Sequence, residues 1–305
     1  MRQVLIVHFS QTGQLDKLAQ SVCAPLLQHA DIQLDFLALQ PAQPYPFPWP
    51  FLDFFRIFPE TVLMRPQPLL PLAVDASKRY DLVILAYQVW FLSPSQPMSA
   101  FLASPEAAQL LKGTPVVTLI GCRNMWLMAQ EKIKTRLGEL GARLVDNIAL
   151  TDACGTAASF LATPLWLFTG RQKPYSWVPR AGIAEAEITA ASRFGEAMAQ
   201  RLTLNERPIE QPMLAGLGAV RIDEKLIASE KVGNRSFQLW SRLLVALGPQ
   251  QSRRRAAGLL VYIVFLLCLI VTVVPLSALL KKLLAPLLKE RTQREKAYFA
   301  GPSGE

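Results

Sequence analysis

Five short, mostly apolar runs separated by amphipathic stretches constrain this chain more than any other feature of its sequence. Val4 to Phe9, Ile32 to Leu39, Leu82 to Ala86, Val116 to Gly121 and Leu144 to Leu150 read as strands, most of them apolar enough for a sheet covered on both faces. Around them the apolar residues recur with a helical period: Leu15, Leu18, Ala19, Val22 and Leu26 after the first run, then Ser99 to Leu111, Ala129 to Leu140 and Glu185 to Leu202. Alternating strands and helices call for parallel pairing through right-handed crossovers. The expected core, residues 1–202, is an α/β doubly wound, five-stranded parallel sheet of order 2-1-3-4-5, whose ligands sit beyond the carboxyl ends of the strands at the switch point.

Two insertions interrupt this plan. Tyr45 to Phe58 holds seven aromatics in fourteen residues, and Ala157 to Pro179 holds Phe160, Trp166, Phe168, Tyr175 and Trp177. The first is too apolar to lie in water as a loop, so it covers a pocket as a lid, fills a groove in the core or meets lipid. Residues 203–252, with Pro208 and Pro212, read as a linker and a small basic element. Ala256 to Leu280 then carries no charge over 25 residues, between Arg253-Arg254-Arg255 and Lys281-Lys282. A bilayer core needs roughly 20 apolar helical residues, so residues 253–282 are expected to span a membrane, with a surface-lying or re-entrant helix as the alternative, Pro275 kinking the end and a basic amphipathic tail, 283–305, continuing past Pro286 along the interface.

Half of the residues are hydrophobic, and the net charge of +9 is unevenly placed: +2 before Thr203 and +7 from there on. The basic excess thus lies beside the apolar segment, where anionic headgroups attract it. It neither shares a helix face nor alternates with exposed aromatics, which excludes nucleic acid as the expected partner. Four cysteines without ligand spacing and two histidines argue against a metal or disulfide framework. The apolar stretch behind Met1 is too short for a signal peptide, so the domain is expected on the cytoplasmic side of the membrane; basic residues on both flanks of the apolar segment leave the orientation of the tail open.

Ser10-Gln11-Thr12-Gly13-Gln14-Leu15, between the first strand and the first helix, can hold a phosphate on converging backbone amides at a helix N-terminus, helped by hydroxyls. It resembles the phosphate loop of flavodoxins, with Leu15 in place of the last hydroxyl, a loss of about 1 kcal/mol of side-chain hydrogen bonding. Two further loops reach the same sheet edge. Tyr87-Gln88-Val89-Trp90-Phe91, leading to Met98, is similar to the aromatic loop of flavodoxins and of quinone reductases of that fold, and Gly121-Cys122-Arg123-Asn124-Met125-Trp126 stands where the other flavin loop lies. The resemblance implies a flavodoxin-like fold with FMN as cofactor. Trp90 is the first candidate for a ring contact and Tyr87 the second, with plain packing the alternative for Trp90 and Trp126. Arg123 could stabilise the anionic reduced flavin. Arg123 and Tyr87 are the catalytic candidates. His8, within a buried strand, reads as structural, and Cys122 has no assigned role.

Longer strings narrow the likeness. Tyr45-Pro-Phe-Pro-Trp-Pro-Phe51, Ala86 to Pro94, Gly121 to Glu131, Asp223-Glu-Lys-Leu-Ile-Ala-Ser-Glu230 and the hydrophobic tail together resemble the bacterial dialkylresorcinol condensing enzyme family. That implies work on fatty-acid-derived precursors beside a ketosynthase and an acyl carrier protein. Carbon–carbon condensation calls for an activated nucleophile with histidine partners, which this sequence lacks. Turning an alkylated cyclohexane-1,3-dione into a resorcinol removes a hydride and a proton, and FMN can take the hydride; the expected activity is therefore oxidative aromatisation. A membrane-bound NAD(P)H-quinone or FMN reductase would use the same residues, and a second alternative, which Leu15 and the large insertions favour, is a flavin-less membrane adaptor of a biosynthetic complex.

Overall fold

The computed structural model describes residues 1–204, 209 and 211–305, without the side chains of 157, 274, 275 and 277–287. In chain order the elements are β1 (Arg2–His8), α1 (Gln14–Leu27), β2 (Ile32–Ala38), α2 (Phe51–Arg56), α3 (Phe58–Val62), β3 (Leu82–Trp90), β4 (Ser93–Pro94), α4 (Gln96–Leu102), α5 (Pro105–Leu111), β5 (Pro115–Cys122), α6 (Leu127–Glu139), β6 (Arg143–Thr151), α7 (Thr156–Thr169), α8 (Glu185–Ala190), α9 (Ser192–Thr203), α10 (Glu224–Ala246) and α11 (Arg253–Ala300).

The five long strands are parallel and run β2-β1-β3-β5-β6, the expected doubly wound, flavodoxin-like order; the sheet also carries β4, two residues antiparallel to β3. Side chains alternate between two cores with the period of the pleat. Val4 and Ile6 meet Leu15, Leu18, Val22 and Phe194 on one face, while Leu5 and Val7 join the cluster of Tyr87, Phe101, Leu110 and Ile133 on the other. On the first face α9 lies against α1 at Gly195, where an added Cβ would stand 1.9 Å from the Val22 carbonyl oxygen. Two expected helices are each broken in two. Ser104 caps α5 through its side chain with Pro105 at the first helical position, so Ser99 to Leu111 cannot run through, and Glu185 to Leu202 divides at Ala191.

The C-terminal third departs most from expectation. Residues read as a linker pack on the sheet: Leu214 and Ala219 join one core, Val220 and Ile222 the other, and the Ala149 amide donates to the Ala219 carbonyl at 2.8 Å. The small basic element is the 23-residue α10, which buries Ile227, Glu230, Ser241 and Leu244. Pro208 lies outside the described residues, as do the side chains of Pro275, Lys281, Lys282 and Pro286. The C-terminal tail, expected along an interface, is docked at its end. It returns to the domain, where Phe299 enters the second core and Ser303 Oγ donates to the buried Asp146 at 2.8 Å. Within α11, Arg253–Val273 is long and apolar enough to cross a membrane, with a mean hydropathy of 2.8.

Candidate functional site

The carboxyl edge of the sheet gathers the loops that follow β1, β3 and β5. Gly13 caps α1 at φ 77°, a left-handed conformation that glycine adopts without strain. No side chain caps α1, and no described hydrogen bond uses the amides of Thr12, Gly13, Gln14 or Leu15. Ser10 Oγ is buried without a partner beside them. An uncapped helix start next to an orphaned hydroxyl is the donor set a phosphate dianion takes. The Gln11 amide donates to Gln88 Oε1 at 3.3 Å and its side chain to the Pro46 carbonyl at 2.9 Å, which ties this loop to β3 and to the aromatic insertion. Gln14 spends its side chain on both backbone groups of Ile183. Leu15 is 2% exposed and packs beneath Gly121, so the residue in the place of a hydroxyl belongs to the core. A cavity of about 330 Å³ beside the loop is lined by Thr12, Gln14, Lys17, Phe47, Trp166 and Arg180.

After β3 the chain makes a two-residue hairpin into β4, with Trp90 opposite Ser93. The turn residues, Phe91 at φ 51° and Leu92 at φ 57°, are both left-handed, where Asn-Gly would be usual and a bulky side chain costs roughly 1–2 kcal/mol. Packing offsets that strain: Phe91 lies 4.6 Å from Phe54 and 5.1 Å from Phe58, ring centre to ring centre, and Leu92 is buried. Trp90 meets Phe9, Tyr45 and Trp49 edge-on at 5.9, 5.1 and 6.1 Å. The insertion thus forms two short helices whose rings continue the aromatic loop. Val89 is half-buried against the second core. Tyr87 is fully buried and its hydroxyl donates to Gln130 Oε1 at 2.6 Å, which places it under the crevice on the α6 side rather than at its surface. Lys132, unremarked in the sequence, donates to the Val62 carbonyl and to Ser93 Oγ at 2.8 and 2.6 Å, pinning the end of α3 to β4; burial pulls its pKa down to about 8.

After β5, the Arg123 guanidinium sits 4.1 Å from the centre of the Phe160 ring on α7. Asn124 Oδ1 accepts from the Met125 amide, and the Asp152 amide donates to the carbonyls of Cys122 and Arg123. Burial raises the Cys122 thiol, which therefore stays protonated. Trp126 is buried at the start of α6. His8 Nδ1 lies 2.8 Å from Asp16 Oδ1, a structural pairing between β1 and α1.

A second cavity, of about 310 Å³, includes Asn124, Trp126, Asp152, Arg221 and Glu230 in its lining. Glu230 is 1% exposed; its Oε1 accepts from the Met128 amide at 2.7 Å and its Oε2 has no partner. Burial pushes its pKa up to about 8, so at neutral pH this carboxyl carries a proton that it could give. The available signal was its place on the apolar face of α10, between Ile227 and Leu244 at helical spacing. An unfolded glutamate titrates at its ordinary 4.5 while the native one holds its proton to about 8, so the native state binds the extra proton between these values and stability falls as pH rises through the window. The melting temperature of the full chain is expected to drop by several degrees from pH 6 to pH 8, and the drop to vanish in Glu230→Gln. Equal slopes in both proteins would show that this carboxyl is ionised in the native state.

No described protein family and no curated protein matches this sequence. Among solved structures the chain is similar to a flavoprotein in complex with FMN from Lactobacillus acidophilus NCFM, at 14% identity and a TM-score of 0.39 over 48% of this chain and 92% of that one. It is similar to a flavodoxin from the domain Archaea at 10% identity and a TM-score of 0.34, over 66% and 99% of the two chains. It is also similar to the Trp repressor binding protein of Bacillus subtilis at 15% identity and a TM-score of 0.30, over 63% and 99%.

Proposed function

We propose that this chain is a membrane-tethered, FMN-dependent oxidoreductase that aromatises an alkylated cyclohexane-1,3-dione in dialkylresorcinol lipid synthesis, with its catalytic domain on the cytoplasmic side. The observation that carries the cofactor is the uncapped start of α1, with the orphaned Ser10 hydroxyl, at the switch point between β1 and β3. There the amides of Thr12 to Leu15 would hold the phosphate, and the β3 and β5 loops would flank the ring. When bound, FMN supplies a two-electron acceptor for the hydride the dione loses. The protein's part is to orient and to exclude water. Arg123 would favour negative charge at the pyrimidine edge, and the aromatic insertion would keep water from the reacting carbon.

A lipophilic substrate suits the surroundings. Aromatic rings run from Trp90 through Trp49, Phe54, Phe91 and Phe58 to Tyr262 on α11, each within 6.1 Å of the next. This band joins the sheet edge to the apolar helix through the interior, with Trp90, Trp49, Phe58 and Tyr262 buried, so the surroundings of the edge are apolar. A ketosynthase and an acyl carrier protein are the proposed partners, on the strength of the sequence strings.

The test is the absorption spectrum of detergent-purified protein before and after dithionite, with a flavin band that bleaches as the expected result. Gly13→Val should weaken FMN binding on the order of tenfold, because a β-branched residue in the left-handed region costs roughly 1–2 kcal/mol, while an added Cβ there meets nothing within 4 Å. Colourless protein that cannot be reconstituted would favour the adaptor instead, a reading to which the rings packed around Trp90 also lend support. Faster NADPH oxidation with a quinone than aromatisation of the dione would favour the quinone reductase.

A further inference from the structure

Both ends of α11 are docked on the same domain. At its start Arg255 pairs with Glu60, and Leu259, Tyr262 and Ile263 share a cluster with Phe58, Val62 and Leu244. At its end Glu295 meets Lys231 at 3.0 Å, Lys296 meets Glu224 at 3.3 Å, Phe299 enters the core and Ser303 reaches Asp146.

These contacts do not fit a straight rod. The first turns of α11 run back along α10, with Gly258 against Leu244 and Leu247, and Tyr262 and Phe265 against Trp240. Continued in line, α11 would reach the level of Lys231 about ten residues past Tyr262, at 1.5 Å per residue on both helices. The residue found at Lys231 is Glu295. On the order of twenty extra residues, roughly 30 Å of helix, therefore leave α10 and come back to it.

That excursion begins with the apolar stretch. Leu260, Val261, Val264, Leu267, Val271, Val273 and Leu276 are exposed, and no charged residue occurs from Ala256 to Leu280. Only 17% of its most apolar window is buried. Where the stretch leaves, α10 presents a stripe of exposed Val232, Leu239, Leu243 and Leu247, with Arg235 and Arg242 exposed on the same helix, the pattern of a helix lying in a headgroup layer. Basic residues stand on both flanks: Arg253 and Arg254 before the stretch, Lys281 and Lys282 directly after it, and Lys289, Arg291 and Arg294 beyond them. Two basic flanks are contradictory for a single span and consistent for a segment whose ends share one side.

We propose that α11 enters the bilayer from the cytoplasmic face and returns to that face as a re-entrant segment, so that the chain is monotopic and its last residues remain on the catalytic domain. Lipid is the occupant of the apolar surface, and α10 lies at the headgroup level beside the point of insertion. The proposal rests on the membrane reading above and is independent of the flavin.

The test is labelling of the full-length protein by a membrane-impermeant maleimide, in intact spheroplasts and in inverted vesicles. Arg254→Cys and Arg294→Cys are compared with the parent chain, which sets the background from the native cysteines. Both sites are expected to label in inverted vesicles and neither in spheroplasts. Labelling from opposite faces would overturn the re-entrant path and leave a true span. Recovery of the protein in the soluble fraction would overturn the membrane reading itself, and with it the proposal.

Discussion

Glu60→Ala is expected to destabilise the protein by about 3–5 kcal/mol, because it strands a buried guanidinium. Arg255 Nη2 donates to both carboxylate oxygens of Glu60, at 2.7 and 2.6 Å, and the two side chains are only 6% and 12% exposed. Glu60 sits on α3, two residues past the end of the aromatic insertion, and Arg255 on the first turn of α11, so the pair ties the helix that closes the insertion to the apolar helix. Arg255→Ala should cost a similar amount. The double variant Glu60→Met/Arg255→Met should recover most of the loss, because two apolar side chains need no counter-charge. Lys231 and Glu295, at 33% and 23% exposure, form a wetter pair whose removal should cost no more than about 1 kcal/mol. Denaturant unfolding of the detergent-solubilised protein measures all four. A single Glu60 variant within about 0.5 kcal/mol of the parent would mean that water reaches the pair.

Asp146→Ala is expected to cost at least about 3 kcal/mol, since it orphans several buried donors at once, each worth roughly 1–3 kcal/mol when left unpaired. The Asp146 carboxylate is fully buried and accepts from the amides of Met213 and Leu214, at 2.6 and 3.3 Å, and from Ser303 Oγ at 2.8 Å. Ser303 Oγ in turn accepts from the Asn147 amide at 2.7 Å. One side chain in β6 thus holds both the crossing segment before α10 and the chain's last residues. Ser303→Ala removes a single hydroxyl and should cost about 1–2 kcal/mol. Limited proteolysis adds a second readout: Asp146→Ala should release a C-terminal fragment at protease levels that leave the parent intact. Unchanged stability and an intact C-terminus would show that the tail is held elsewhere.

The central sheet was legible because its signal is local. Five apolar runs of strand length alternate with helical periodicity, and connection rules leave few topologies for such a pattern. The same locality made Ser10 to Leu15 readable as a strand–turn–helix loop, since Gly13 is needed where the chain turns left-handed before α1. Leu15 read as a missing hydroxyl, whereas its side chain packs beneath Gly121 in the core. The hairpin at Phe91 and Leu92 left no trace in composition, because two bulky residues at positive φ violate local preference and persist only where Phe54 and Phe58 pack against them.

What the residues determine by themselves is whatever repeats within a few positions: the strands, the amphipathic helices, the strand–turn–helix loop at Gly13 and the length of the apolar segment. Tertiary structure alone decides that Glu230 loses its water, that Trp90 is ringed by Phe9, Tyr45 and Trp49, and that Ser303 comes home to Asp146 across more than half the chain. Those outcomes depend on which distant surfaces meet. Desolvation and contact are properties of the assembled interior, and no window of neighbouring residues contains them.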